Sequence, residues 1–315
     1  MTERRPTTEG VLAAAKRIAG LVTQTPLLPF VHGGRRYWVK PECLQQSGSF
    51  KLRGASNRLL RLGDAERARG VVAFSSGNHA QGVALAAQRL DIAATIVMPA
   101  DAPAVKVAGT RSAGAEIVFF DRATESREEI GARLAAEQGA TLVPSFDDVD
   151  VIEGQGTIGV ELRAQLGVAP PMVVVPCGGG GLSGGIALAL PESQVVAVEP
   201  EGWDDMGRSL ALDRIVPVEE PAPPTLCDAL QTKLVSPLTF GALSDARAIA
   251  RAVSEAEVAE AMRFAFRALR IVAEPGGAVA LAALLSGKVD APDGAVIVVS
   301  GGNVDPALYA RIVAA

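Results

Sequence analysis

Short apolar segments that alternate with helix-like segments constrain this chain most. Val71–Phe74, Ala94–Met98 and Met172–Val175 are almost uniformly apolar, and each precedes a segment with apolar residues at helical spacing. Strands that are apolar on both sides are typical of parallel sheets covered by helices on both faces. We therefore predict an α/β fold built from mostly parallel sheets. The predicted strands are Tyr37–Lys40, Val71–Phe74, Ala94–Met98, Glu116–Phe119, Thr141–Val143, Met172–Val175, Gln194–Glu199 and Ala295–Val299.

The composition excludes several classes of protein. The 315 residues, with a hydrophobic fraction of 49%, suffice for one large or two ordinary domains. A net charge of −5 gives no support for binding to nucleic acid or to an anionic membrane. There is no apolar run of about 18 residues, and the polar N-terminus lacks the apolar core of a signal peptide. Three widely spaced cysteines indicate reduced thiols, so we predict a cytoplasmic location.

Lys51 lies between Phe50 and Leu52 at the predicted start of a helix. Apolar neighbours desolvate an amine, which lowers its pKa and frees its lone pair for Schiff-base chemistry. The alternative is an ordinary lysine whose stem covers apolar surface. Only six of the 30 basic residues are lysines, so lysine is not the default cation of this chain.

The loop Ser75–His79 follows the strand Val71–Phe74 and precedes a predicted helix. Backbone N–H groups and hydroxyls at a helix N-terminus favour an anion, such as the carboxylate of a substrate. The alternative is that the serines and Asn78 only cap the helix and that His79 is a packed histidine.

The loop Gly178–Gly181 follows the strand Met172–Val175. Consecutive glycines let N–H groups converge at a helix N-terminus, which is typical of a phosphate site. Gly179, Gly181 and Gly184 also match the dinucleotide fingerprint, and Glu199 ends the next strand, so an NAD-dependent oxidoreductase is a competing hypothesis.

Ser300 follows the strand Ala295–Val299 and precedes two glycines. A hydroxyl in this position can approach the edge of a flat ring. The alternative is a simple turn from strand to helix.

Six segments occur together in a characteristic order. They are Ser49–Ala55, Ser75–Gly82, Gly154–Thr157, Gly178–Gly181, Glu274–Ala278 and Ser300–Asn303. In order and spacing they resemble the threonine/serine dehydratase and serine racemase family, pyridoxal-phosphate (PLP) enzymes of the tryptophan-synthase-β-like fold type II. The resemblance extends from about Thr25 to the C-terminus and leaves little room for the NAD hypothesis.

The resemblance implies a role for each matching residue. Lys51 would hold pyridoxal 5′-phosphate covalently and move the α-proton of the substrate. The other implied cofactor contacts are Phe50 beside the ring, Asn78 on its 3-hydroxyl, Ser300 at its pyridine nitrogen, Glu274, and Gly178, Gly179, Gly180 and Gly181 on the phosphate. The implied substrate-carboxylate contacts are Ser75, Ser76, Gly77, Asn78 and His79.

The resemblance also implies a metal site. Carboxylates at Glu199 and Asp205 and the backbone carbonyl of Trp203 would bind Mg²⁺ or Ca²⁺, which prefer oxygen ligands. The alternative is a solvated acidic turn after a strand.

The resemblance further implies a domain organisation and a partner. Residues 1–66 and 147–315 would form a large PLP-binding domain, and residues 67–146 a small mobile domain that closes on the substrate. The chain would form a homodimer.

The activity that we expect is β-elimination of water from L-threonine or L-serine, which gives 2-oxobutanoate or pyruvate and ammonia. Serine racemase and 3-hydroxyaspartate ammonia-lyase are near alternatives. Ser76 keeps racemisation open because that reaction needs a second acid/base opposite Lys51. Phe146 is typical of the dehydratases. A binding protein without catalysis is a further alternative, which the intact Lys51, Asn78 and Ser300 disfavour.

Overall fold

The computed structural model describes residues 4–75, 77–102 and 104–314. Its strands are β1 (Leu28–His32), β2 (Arg35–Pro41), β3 (Val71–Phe74), β4 (Ala94–Pro99), β5 (Glu116–Phe120), β6 (Thr141–Leu142), β7 (Met172–Pro176), β8 (Gln194–Pro200), β9 (Ile249–Val253) and β10 (Val296–Val299). Its helices are α1 (Thr8–Arg17), α2 (Lys51–Leu60), α3 (Asp64–Arg69), α4 (Asn78–Arg89), α5 (Ala104–Ser112), α6 (Arg127–Gln138), α7 (Val149–Gln155), α8 (Thr157–Leu166), α9 (Gly181–Ala189), α10 (Asp205–Leu212), α11 (Pro237–Asp245), α12 (Glu255–Phe264), α13 (Pro275–Leu285) and α14 (Pro306–Ala314).

The strands form two sheets, which confirms the predicted α/β class. The larger sheet has the order β1-β2-β10-β7-β8-β9, and its pairs are parallel except for the antiparallel pair β1–β2. The smaller sheet has the order β5-β4-β3-β6 and is parallel throughout. Within the described ranges, no helix is both long and apolar enough to cross a membrane.

The smaller sheet takes its strands from residues 71–142, inside the segment predicted to be the small domain. Helix α2 packs against α4, and Leu52, Ala55 and Leu59 share a hydrophobic core with Ala80 and Val83. This packing places the first residue of α2 beside the N-terminal end of α4. The division into domains at residues 67 and 146 remains a prediction.

The predicted long helix over residues 152–166 is wrong, because it is divided into α7 and α8 at Gly156. A Cβ atom on Gly156 would collide with the backbone oxygen of Gly185 on α9. The two backbones therefore cross in van der Waals contact, which only glycine permits. This crossing holds α7 and α9, and the loops before them, in fixed relative positions.

The N-terminal helix is anchored by Glu153, a buried carboxylate on α7. Its side chain pairs with Arg4 and accepts a hydrogen bond from the Thr7 backbone N–H at 3.3 Å. A Cβ atom on Gly10 would collide with Glu153 Oε1. No local sequence pattern explains an acidic residue at this position, because both of its partners lie more than 140 residues away in the chain.

We expect Gly10→Ala to lower the free energy of unfolding by about 1–3 kcal/mol, because the new methyl group overpacks this contact. Alanine is otherwise the better helix former, so Gly241→Ala in α11, where a Cβ atom has no neighbour within 4 Å, is the matched control and is expected to stabilise slightly. Urea denaturation measures both. The cost of Gly10→Ala should shrink in a Glu153→Ala background; equal costs in both backgrounds would contradict the contact.

Candidate active site

Lys51, the first residue of α2, extends into a cleft between the two sheets. Its ammonium donates a hydrogen bond to the Ser145 carbonyl oxygen at 2.8 Å and lies 5.1 Å from the centroid of the Phe50 ring. Burial lowers its pKa from 10.5 to about 8. Near that pH a substantial fraction of the amine is neutral and can act as a nucleophile or a base.

Asn78, the first residue of α4, is held from two sides. Its side-chain N–H donates to Glu274 Oε1, and its Oδ1 accepts a hydrogen bond from Asn303 Nδ2 at 2.8 Å. The Glu274 carboxylate is buried, its Oε2 has no hydrogen-bond partner within the described chain, and burial raises its pKa to about 7. These bonds join the loop before α4 to the segments around β10 and α13.

The loop before α4 contains the other predicted carboxylate contacts. The Gly77 N–H donates to Ser75 Oγ at 3.2 Å, and His79 Nε2 lies 2.9 Å from the Val143 carbonyl oxygen. Burial and the nearby Lys51 ammonium lower the pKa of His79 to about 3, so its ring is neutral. Ser76 lies outside the described residues.

The glycine loop follows β7 and lies against Phe146. Gly180 has a φ of +83°, and a Cβ atom on Gly179 would collide with the Phe146 ring. Gly181 begins α9, so the loop N–H groups and the positive end of the helix dipole coincide. Since Lys51 bonds to Ser145, the segment Ser145–Phe146 connects the lysine to this loop.

Ser300 follows β10 and is buried. Its carbonyl oxygen accepts a hydrogen bond from the Phe50 N–H at 3.1 Å, and its own N–H donates to Gly277. A Cβ atom on the next residue, Gly301, would collide with Glu274 Oε1. Hydrogen bonds and contacts thus connect the predicted cofactor residues Phe50, Asn78, Glu274 and Ser300 around Lys51.

The predicted metal residues lie at a separate place, at the end of β8 and the start of α10. Glu199 accepts hydrogen bonds from the N–H groups of Met206 and Gly207, and Asp205 Oδ2 accepts one from Val235 at 2.8 Å. Asp205 Oδ1 is buried without a partner. Burial raises the pKa of Asp205 to about 7 and that of Glu199 well above its usual range. In the described ranges, no three His, Cys, Asp or Glu side chains converge, so a cation would need the Trp203 carbonyl or water as well.

Sequence reasoning missed Lys106 and Asp228, which form an ion pair in the cleft. Lys106 lies on α5, and Asp228 begins a short 3₁₀ turn far along the chain. The scarcity of lysine was the one signal that pointed to Lys106, and no local pattern connects it with Asp228.

A parallel α/β fold with a partly buried lysine and a glycine loop at strand ends is typical of PLP enzymes of fold type II. The family model described as "Pyridoxal-phosphate dependent enzyme" matches residues 18–301. The chain belongs to this family.

Curated relatives of the chain include ammonia-lyases. It is 45% identical to the L-threo-3-hydroxyaspartate ammonia-lyase of Pseudomonas sp., over 96% of this chain and 97% of that protein. It is 41% identical to the protein of the same name from Saccharomyces cerevisiae, over 98% and 96% of the two chains. It is 42% identical to the L-threonine ammonia-lyase of Thermotoga maritima, over 98% of this chain and 78% of that one.

Solved structures agree with this family and confirm the fold. Maize serine racemase superposes with a TM-score of 0.92 at 36% identity, and 98% of this chain and 97% of that chain are covered. A bacterial threonine deaminase superposes with a TM-score of 0.88 at 43% identity, with 95% and 99% covered. The family expected from the sequence motifs is therefore confirmed.

Proposed function

We propose that this protein is a PLP-dependent ammonia-lyase whose substrate is L-threo-3-hydroxyaspartate. The observation that carries the proposal is the similarity, over nearly the whole chain, to two ammonia-lyases named for that substrate. The comparisons favour this alternative over the expected threonine/serine specificity. Ammonia release from a 3-hydroxy amino acid is common to both.

The residues around Lys51 fit PLP. A partly buried amine, a glycine loop at a helix N-terminus and the orphaned buried oxygen of Glu274 are chemically suited to an aldehyde, a phosphate and a polar ring. Lys51 would hold the aldehyde, Gly178–Gly181 the phosphate, and Asn78 and Ser300 the ring. When bound, PLP supplies the electron withdrawal that makes the Cα–H bond acidic.

The chain itself would align the substrate and move its proton. Lys51 Nζ would accept the Cα proton, and a pKa of about 8 suits a base that works near neutral pH. Backbone N–H groups of Ser75–His79 would hold the α-carboxylate and so fix the Cα–H bond relative to Lys51. Ser76, as part of this loop, stays a predicted substrate contact.

The overall reaction loses and regains one water. The Cα proton and the Cβ hydroxyl leave together as water, and the resulting enamine becomes an imine. Water hydrolyses the imine to oxaloacetate and ammonia. Because the imine hydrolyses without a catalyst, the protein needs to control only the elimination.

The unpartnered Asp205 Oδ1, with Glu199 nearby, supports a hard cation such as Mg²⁺ or Ca²⁺ at the end of β8. The Trp203 carbonyl and water would complete its ligands. This cation site, a homodimer and a cytoplasmic location remain predictions from the family resemblance and the cysteine content.

A substrate panel tests the proposed specificity. We expect kcat/KM for L-threo-3-hydroxyaspartate to exceed the values for L-threonine and L-serine by at least about tenfold, since a paired carboxylate discriminates better than one methyl group. Released 2-oxo acid and the chirality of the remaining amino acid are measured in the PLP-loaded protein. A larger kcat/KM for L-threonine would restore the threonine dehydratase hypothesis. D-serine that accumulates faster than pyruvate would make the protein a racemase.

A further inference from the structure

Lys106 is a buried cation in the cleft, and the proposed reaction gives it no role. Its side chain is only 6% exposed, and its ammonium pairs with Asp228. A Cβ atom on Gly77 would lie 3.5 Å from Lys106 Nζ, so the ammonium touches the loop before α4. The cation therefore lies against the segment proposed to hold the substrate α-carboxylate.

The pair also lies within electrostatic reach of Glu274. Lys106 lowers the pKa of Glu274, and Asp228 raises it. Glu274 accepts a hydrogen bond from Asn78, the residue proposed to contact the PLP ring. These couplings place Lys106 and Asp228 beside the proposed reaction site rather than on a remote surface.

The two members of the pair differ in exposure. The Asp228 side chain is 47% exposed, whereas Lys106 is almost completely buried. Asp228 can turn outward and be solvated by water, but the Lys106 ammonium cannot follow it. A buried ammonium needs a hydrogen-bonded anion, so another carboxylate that enters the cleft can replace Asp228.

L-threo-3-hydroxyaspartate brings two carboxylates into this cleft. The loop N–H groups before α4 suit the α-carboxylate, and Lys51 is occupied with the amine and the α-proton. The second carboxylate needs a further cation at the site, because an unpaired buried carboxylate is costly. L-threonine carries a methyl group instead, and the Lys106–Asp228 pair would then stay closed.

We propose that Lys106 binds the side-chain carboxylate of the substrate and that Asp228 holds the ammonium until a dicarboxylic substrate replaces it. This inference rests on the proposed function and names the residue that recognises the substrate class. Lys106 is thus a specificity-determining residue on the face of the cleft that α5 contributes.

The variant Lys106→Met tests the proposal in the PLP-loaded enzyme. We expect the ratio of kcat/KM for L-threo-3-hydroxyaspartate to kcat/KM for L-serine to fall by at least about 30-fold, as for loss of one partner of a desolvated charge pair. Lys16→Met on α1, an exposed lysine, is the matched control and should leave the ratio unchanged. If Lys106 instead contacts the α-carboxylate, both values of kcat/KM fall together and the ratio holds, which would overturn the proposal.

Two further measurements separate recognition from a structural role. L-malate has two carboxylates but no amine, so its dissociation constant, measured by calorimetry, reports carboxylate recognition without turnover. We expect Lys106→Met to weaken L-malate binding by about tenfold or more and Asp228→Asn to tighten it, since that variant frees the ammonium. Weaker L-malate binding in Asp228→Asn would mean that the pair only fastens the cleft, and the proposal would be wrong.

Failure of the inference can be told apart from failure of the proposed function. Parent protein without measurable turnover of L-threo-3-hydroxyaspartate would refute the proposed function, and the inference with it. Parent protein that turns over this substrate, together with a Lys106→Met ratio equal to that of Lys16→Met, would refute only the inference.

Discussion

Lys51→Ala is expected to lower kcat for the preferred substrate by at least about 10³-fold, the largest effect of any single substitution in this chain. The substitution removes both the amine that would hold PLP and the base that would accept the Cα proton. We expect the visible absorbance of the lysine-bound cofactor to disappear and PLP to become removable by gel filtration. Absorbance spectra and stopped assays of 2-oxo acid measure the two effects.

Two controls give this result its meaning. Lys16→Ala makes the same change on the exposed face of α1 and should keep both absorbance and turnover. Added ethylamine should restore part of the turnover of Lys51→Ala, because it returns a primary amine to the vacated space. Turnover of Lys51→Ala at the parent rate would show that the reaction does not use this lysine.

Arg53→Met should cause the largest loss of stability, about 3–5 kcal/mol in the free energy of unfolding. Arg53 lies two residues after Lys51 and is fully buried with Glu42, to which it donates two hydrogen bonds of 2.8 Å. It also donates to Glu161 at 2.6 Å. Methionine fills much of the volume but leaves a buried carboxylate without its main partner. Urea denaturation measures the loss.

The exposed pair Arg133–Glu137 is the matched control. Its nitrogen–oxygen distance is 3.1 Å, but its side chains are 57% and 56% exposed. Arg133→Met should therefore cost less than about 1 kcal/mol. The double variant Arg53→Met/Glu42→Gln should regain part of the loss, because it no longer buries an unpaired charge. Equal costs for Arg53→Met and Arg133→Met would show that the buried network does not stabilise the fold.

The central strands were easier to predict from the sequence than the edge strands. Val71–Phe74 and Met172–Val175 are buried on both faces, so their continuous apolar runs are distinct in the sequence. β1 and β9 lie at the two edges of the larger sheet and mix buried with exposed residues, which hid them. The break between α7 and α8 escaped prediction because Gly156 meets Gly185 on a different helix, a contact that only the tertiary fold creates.

The candidate site divides in the same way. The loops before α4 and α9 and after β10 were predictable, because parallel sheets bring strand ends to one edge. The pair Lys106–Asp228 was not, because its members are 122 residues apart and the tertiary fold alone brings them together. The buried charges of Arg53 and Glu42 were missed for the same reason, since each alone is typical of a surface residue.

Competition between two substrates in one vessel tests the central claim most directly. The PLP-loaded protein receives equal concentrations of L-threo-3-hydroxyaspartate and L-threonine, and mass spectrometry follows oxaloacetate and 2-oxobutanoate over time. The ratio of initial rates equals the ratio of the two kcat/KM values and does not depend on the fraction of active protein. We predict that oxaloacetate forms at least about ten times faster. Faster formation of 2-oxobutanoate would contradict the account and make the protein a threonine ammonia-lyase.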